Sequence, residues 1–163
     1  GLCAGLCLYL RDHGERLPSL QIPLYPMLED RATATNQNNQ SPGWDTKSND
    51  IAWRLYLGES YRGAGAEAYG APARETDPSG LPPTLTFVGD VEPFYQETIN
   101  YVNLLKSTHV PVAFRVFPGC FHGFDILGRG VQKKAAEDFF ISQVRSVWDR
   151  GHFLPEEEGT HAV

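Results

Sequence analysis

The run Pro118-Gly119-Cys120-Phe121-His122-Gly123-Phe124-Asp125 sets a histidine among small and aromatic residues. An imidazole titrates near neutrality, so it can accept and return one proton per turnover. The competing reading is a loop histidine that only caps the helix after it. A second run, Asp90-Val91-Glu92-Pro93-Phe94, offers two carboxylates. Either could accept a hydrogen bond from one ring nitrogen of His122, fix its tautomer and stabilise the imidazolium. Glu92 precedes Pro93, and proline is favoured at the first position of a helix, so Glu92 is expected at a helix entrance. A carboxylate there is favourable in itself, by under about 1 kcal/mol. That effect accounts for one acid. It does not account for a histidine at the matching place on the next strand.

A base and its orienting acid need a nucleophile. The usual solution is a serine on a G-x-S-x-G turn between a strand and a helix, and no such run occurs. Ser60, in Gly58-Glu59-Ser60-Tyr61-Arg62, lacks the second glycine. Gly1-Leu2-Cys3-Ala4-Gly5 has the spacing with Cys3 in the central place, but no strand precedes its first glycine. Cys3 and Cys7 lie four apart, on one helix face, with no second Cys/His pair at zinc spacing. Three cysteines make no disulfide framework. They read as buried thiols in a reducing, cytoplasmic setting, with no metal and no cofactor.

These groups need a scaffold. Residues 1–13 are small and apolar nearly all round and predict a helix covered on most sides. Leu20 to Tyr25 predicts a strand, although Pro23 cannot donate to a ladder. Residues 26–47 read as a long loop, Asn49 to Leu57 as a helix, and 59–83 as a Gly/Pro/Ala-rich connection. Then the pattern becomes regular. Strands are predicted over 84–89 and 112–117. Between them a helix over 93–107 presents Phe94, Thr98, Tyr101, Val102 and Leu105 at the 3.6 period. A last helix over 131–149 offers Ala135, Phe139, Phe140, Val144 and Val147. Strand–helix–strand order implies parallel strands in an α/β sheet. Ligands bind outside the carboxyl ends of such strands, so the loops that matter follow Tyr25, Gly89 and Phe117.

The 163 residues suit one domain, and a chain of roughly 150 residues can bury about two-thirds of its unfolded surface. An apolar content of 41% with 12% aromatics excludes a disordered chain. A net charge of −6 without a Lys/Arg cluster argues against nucleic acid. The opening GLCAGLCLYL is ended by Arg11-Asp12, too soon to span a membrane. Residues 1–150 read as the domain, and 151–163, with Glu156-Glu157-Glu158, as an acidic frayed tail.

Over Gly1 to about Trp148 the sequence resembles the serine carboxylesterases similar to hormone-sensitive lipase, within the α/β-hydrolase fold. Tyr25 to Arg31, YPMLEDR, resembles that family's Y-P-M-L-D-D-R, and Trp53 to Gly58, WRLYLG, its W-x-x-Y-L-G. YGAPAR over Tyr69 to Arg74 and SGLPP over Ser79 to Pro83 are typical of it, and GCFHGFD over Gly119 to Asp125 is similar to its G-A-F-H-G-F-D. The resemblance carries the catalytic histidine to His122. The family's acid motif, D-P-[LF]-R-D-E, falls on Glu92-Pro93-Phe94-Tyr95-Gln96-Glu97, so the acid is Glu92 where the family has Asp. Counting back from Arg11-Asp12 puts the family's serine a few residues before Gly1, which makes G-L-C-A-G a chance match. The H-G-G-G loop that supplies oxyanion donors is absent too.

The resemblance therefore implies a partial α/β-hydrolase fold of about three parallel strands, 20–25, 84–89 and 112–117, with flanking helices and the N-terminal half of the sheet missing. It implies hydrolysis of short-chain acyl esters, with His122 and Glu92 in the chain and no nucleophile in it. Phe94, Phe121 and Phe124 are the candidate substrate-binding residues. The alternative is an inactive hydrolase fragment acting only as an assembly or interaction module. An unpaired sheet edge beside a greasy first helix invites association, which predicts a homo-oligomer or a complementing N-terminal half.

Overall fold

The computed structural model describes residues 1–155. Helix α1 spans Leu2–Asp12 and α2 spans Thr46–Leu57. Two single 3-10 turns, Gly58–Ser60 and Pro72–Arg74, punctuate the connection to strand β1, Thr84–Gly89. Helix α3, Tyr95–Ser107, crosses to β2, Val112–Phe117, and α4, Phe124–Leu127, leads into α5, Val131–Arg150. The acidic run of the predicted tail lies outside the described residues.

Strands β1 and β2 are parallel, in register from Thr84 opposite Val112 to Gly89 opposite Phe117. Both coincide with the strands expected from sequence. The third expected strand is laid down differently. Gln21 pairs with Thr84 in one isolated parallel bridge. Its N–H donates to the Pro83 carbonyl and its carbonyl accepts from Leu85. Two residues on, Pro23 has no N–H to give, and the Thr86 hydroxyl donates to its carbonyl instead. Tyr25 resumes the ladder with one bond to the Phe87 carbonyl, 2.9 Å. The segment thus occupies a third strand position beside β1 without forming a continuous strand, and the interruption follows from proline.

Side chains alternate across β1, and both faces are covered, so all six of its residues are buried. Val88 packs with Val102 of α3 and Phe114 of β2. Phe87 points the other way, against Phe117, Phe124 and Ala136 of α5. On the α3 side, Ala4, Cys7 and Leu8 of α1 meet Tyr101 and Leu105. The expected face of α3 is the buried one, with Glu97 added to it.

Helix α1 departs from expectation. Only its Ala4, Gly5, Cys7, Leu8 face is buried, while Leu2 is 73% and Leu6 57% exposed. A sequence apolar all round carries no angular preference, and among the described residues neighbours stand on one side only. Helix α2 starts at Thr46 rather than Asn49, because the Asp45 carboxylate accepts from the Ser48 N–H at 2.7 Å and caps it. Along α5 the buried residues are Ala136, Gln143 and Ser146. Trp148 and Ile141 lie exposed on its other side. No helix among the described residues is long and apolar enough to cross a membrane.

Candidate active site

The two loops that leave the carboxyl ends of β1 and β2 carry Glu92 and His122. Glu92 was expected at the mouth of a helix begun by Pro93. Helix α3 instead begins at Tyr95, and residues 90–94 form a turn that swings the carboxylate back toward the end of β1. There Glu92 Oε1 accepts from the Gly89 N–H at 3.0 Å. That N–H points to the sheet edge where the 20–25 segment has already run out, so it is free of the ladder. The other carboxylate oxygen, Oε2, lies 2.7 Å from His122 Nδ1. Nδ1–H donates to Glu92, which leaves the Nε2 lone pair directed away from the carboxylate.

Burial separates the two partners. The Glu92 side chain is fully enclosed, while that of His122 keeps 23% of its surface. Enclosure pushes the Glu92 pKa above its ordinary value, and the bonds from His122 and Gly89 work against that rise. A base that reaches solvent, backed by an acid that does not, is the arrangement that general-base catalysis needs.

Aromatic rings surround the imidazole. Tyr25 meets it edge-on at 4.6 Å and Phe94 at 5.0 Å. Trp44 leans over it at 5.7 Å. Tyr25 sits at φ +34°, a left-handed value rare for a bulky residue, at the point where the 20–25 segment breaks away from β1. The sequence located the Tyr25 loop only by topology and gave no signal for Trp44, which lies deep in a polar loop. Its neighbour Gly43 crosses so close to the histidine loop that a Cβ there would come within 2.6 Å of the His122 carbonyl oxygen.

The remaining candidates divide. Phe94 is buried behind the imidazole. Phe124 is buried too, edge-on to Phe87 and tilted against Phe117 in the core. Phe121 alone of the three keeps a partly open surface. Asp90, the competing acid, does not contact His122. Its carboxylate accepts from the Gly119 N–H. Cys3 pairs with Cys7 and the Ile22 backbone, and the Cys7 thiol's hydrogen bond holds its pKa down. Among the described residues no hydroxyl or thiol is hydrogen-bonded to His122 Nε2, and no group of three His, Cys, Asp or Glu side chains converges as a metal site would require.

Two buried acids hold the 26–31 loop beside the site. Glu97 Oε1 accepts from the N–H groups of Leu28 at 2.6 Å and Glu29 at 3.2 Å. Its pKa is pushed up to about 8 by burial, against the pull of those two donors. Asp30 grips Arg74 through two bonds of 2.7 and 2.9 Å and accepts from the Arg62 N–H. Burial would raise its pKa, but the Arg74 guanidinium wins and holds it below the usual carboxylate range.

A family model described as alpha/beta hydrolase fold matches residues 1–126. Among solved structures, a bacterial heroin esterase is 34% identical with a TM-score of 0.77, the match covering 84% of this chain and 45% of that one. An esterase from Mycobacterium marinum is 29% identical with a TM-score of 0.69, over 84% of this chain and 46% of that one. Carboxyl esterase 2 of the fungus Tuber melanosporum, at 24% identity and a TM-score of 0.75, covers 84% and 47% and speaks to the fold alone. The chain therefore spans about half the length of the solved structures it matches. A comparison with curated proteins found no match.

Proposed function

Because the chain belongs to the α/β-hydrolase-fold family, in its esterase-like branch similar to hormone-sensitive lipase, we propose that Glu92 and His122 are the acid and base of a Ser-His-acid triad that hydrolyses short-chain acyl esters. The supporting observation is the 2.7 Å bond from His122 Nδ1–H to a Glu92 carboxylate that is itself held by Gly89. In this reading His122 Nε2 takes the proton from a serine hydroxyl as its oxygen attacks the ester carbonyl. The same nitrogen then returns the proton to the departing alcohol. Water repeats the sequence on the acyl-enzyme, which releases the acid and restores the serine. Glu92 stays ionised and stabilises the imidazolium in both halves. Phe121 presents an apolar surface to the substrate, while Phe94 and Phe124 support the site from behind. The serine and the oxyanion donors come from polypeptide outside these 163 residues.

The open side of the 20–25 segment and the bare Leu2–Leu6 stripe of α1 support a second proposal. The chain associates there, either with a further copy or with the polypeptide that carries the nucleophile. Light scattering at high concentration checks it, and a clean monomer counts against self-association. Three free thiols fit a cytoplasmic setting.

The catalytic reading is tested with short p-nitrophenyl esters, comparing protein that carries this chain with its His122→Ala and Glu92→Gln variants. Loss of turnover in both is expected, and equal rates in all three sink it. The 163 residues alone are expected to give only the background rate. Turnover by them that His122→Ala abolishes would mean that the chain supplies its own nucleophile.

A further inference from the structure

The acid loop and the histidine loop are stitched together by four hydrogen bonds in chain order. The Asp90 N–H donates to the Phe117 carbonyl at 3.3 Å, and the Val91 N–H to the Cys120 carbonyl at 3.4 Å. The Gly119 N–H donates to Asp90 Oδ1 at 2.6 Å. The His122 bond to Glu92, at 2.7 Å, closes the row. The two backbone stitches are long, and so contribute little. The bond to Asp90 is short and charge-assisted, a class worth about twice a neutral bond. It falls on Gly119, which has φ +70° and two residues of loop, Cys120 and Phe121, between it and His122.

We propose that Asp90 is a positioning residue for the base: by binding the Gly119 N–H it fixes the loop so that His122 keeps its bond to Glu92. The proposal rests on the reading of Glu92 and His122 as a working pair, and assigns Asp90 a task outside the triad. Asp90 touches neither partner. It acts through residues 119–122, over which the backbone carries its restraint. Gly89 adds to the geometry, since its α-carbon lies so close to the Cys120 carbonyl that the loops have no slack on that side. Among the described residues, the other hydrogen bonds from residues 90–94 to residues 119–122 are the long one from the Val91 N–H and that between His122 and Glu92.

The test is the His122 Nδ1 proton in ¹⁵N-labelled protein, whose downfield resonance and solvent exchange report the bond to Glu92. Glu92→Gln identifies the signal. Asp90→Ala is expected to accelerate its exchange roughly tenfold, the loss of one charge-assisted hydrogen bond. Asp90→Asn keeps an acceptor oxygen in place and is expected to restore the wild-type rate. An unchanged signal in Asp90→Ala overturns the proposal, as does equal loss in Ala and Asn. If Asp90→Ala does not fold, Asp90→Ser, too short to reach Gly119, carries the same comparison. Ester turnover is a separate readout. In protein that also carries the serine, a faster-exchanging proton without any turnover leaves Asp90's role standing and removes the catalytic reading. Turnover with an unmoved proton does the reverse.

Discussion

Glu92 reaches His122 because Gly89 holds it there. One carboxylate oxygen accepts the strand-end N–H and the other the imidazole, at 3.0 and 2.7 Å. The bridge exists because the neighbouring segment leaves the ladder after the Tyr25 bond to Phe87, which frees the last N–H of β1. A glutamate at this position is therefore matched to its surroundings by two contacts, not by reach alone.

Shortening the acid tests that match. Glu92→Asp withdraws the carboxylate by one methylene, and is expected to lose the Gly89 bond before the His122 bond. In protein competent for turnover, Glu92→Gln is expected to cost about 10⁴-fold in kcat, as in triads whose orienting acid is amidated. Glu92→Asp is expected to fall between it and the wild type. Steady-state kinetics on the three proteins decide the order.

Gly89 and Gly119 make a contrasting pair. A Cβ on Gly89 would stand 2.0 Å from the Cys120 carbonyl oxygen, whereas Gly119 has open space around it. Gly89→Ala must force the two loops apart, and is expected to destabilise by about 3 kcal/mol or more. Gly119→Ala meets only the left-handed φ, a cost of about 1 kcal/mol. Thermal denaturation of both variants gives the comparison, and equal losses would contradict the packing argument.

Glu97 links stability to pH. Its carboxyl titrates near 4.5 unfolded but at about 8 when buried. The folded state therefore binds the proton more tightly. The stability this contributes is complete below pH 4.5 and is lost as pH rises toward 8, with a slope of up to about 1.4 kcal/mol per pH unit. Glu97→Gln keeps the acceptor for Leu28 and Glu29 without the charge, and is expected to flatten the curve in that window. Denaturant titrations from pH 5 to 8 measure it.

Asp30 and Arg74 predict the opposite asymmetry. The Asp30 side chain is fully buried. Arg74→Leu strands its charge and is expected to cost about 3–5 kcal/mol. Changing both residues together, Asp30→Asn with Arg74→Leu, is expected to recover much of that loss, as a double-mutant cycle would show.

Trp44 shields the imidazole from one side. Trp44→Ala is expected to cost roughly 2 kcal/mol, less than for a fully buried indole, and to speed chemical modification of His122. Trp44→Phe is expected to preserve the shielding. Rates of histidine acylation in the three proteins check this.

The strands at 84–89 and 112–117 and the apolar face of α3 were written in local pattern: short apolar runs, turn residues and a 3.6 repeat. So was the pairing of one histidine with one acid on successive strand ends, since strand order alone brings those loops together. The remainder depended on contacts between residues distant in sequence. Local pattern let Glu92 stand at a helix entrance, and only the turn over 90–94 aimed it at His122. It left Asp90 eligible as the acid, until the position of Gly119 gave its carboxylate another partner. It gave no sign of Trp44 beside the base, or of Glu97 among the buried residues. It read α1 as enclosed, because periodicity counts apolar residues and cannot tell which neighbours arrive. The sequence by itself determined which residues could do chemistry and on which elements they stand. The tertiary structure decided which of them meet, because a hydrogen bond needs placement to a few tenths of an ångström, and that is set by the packing of strands, loops and rings drawn from the whole chain.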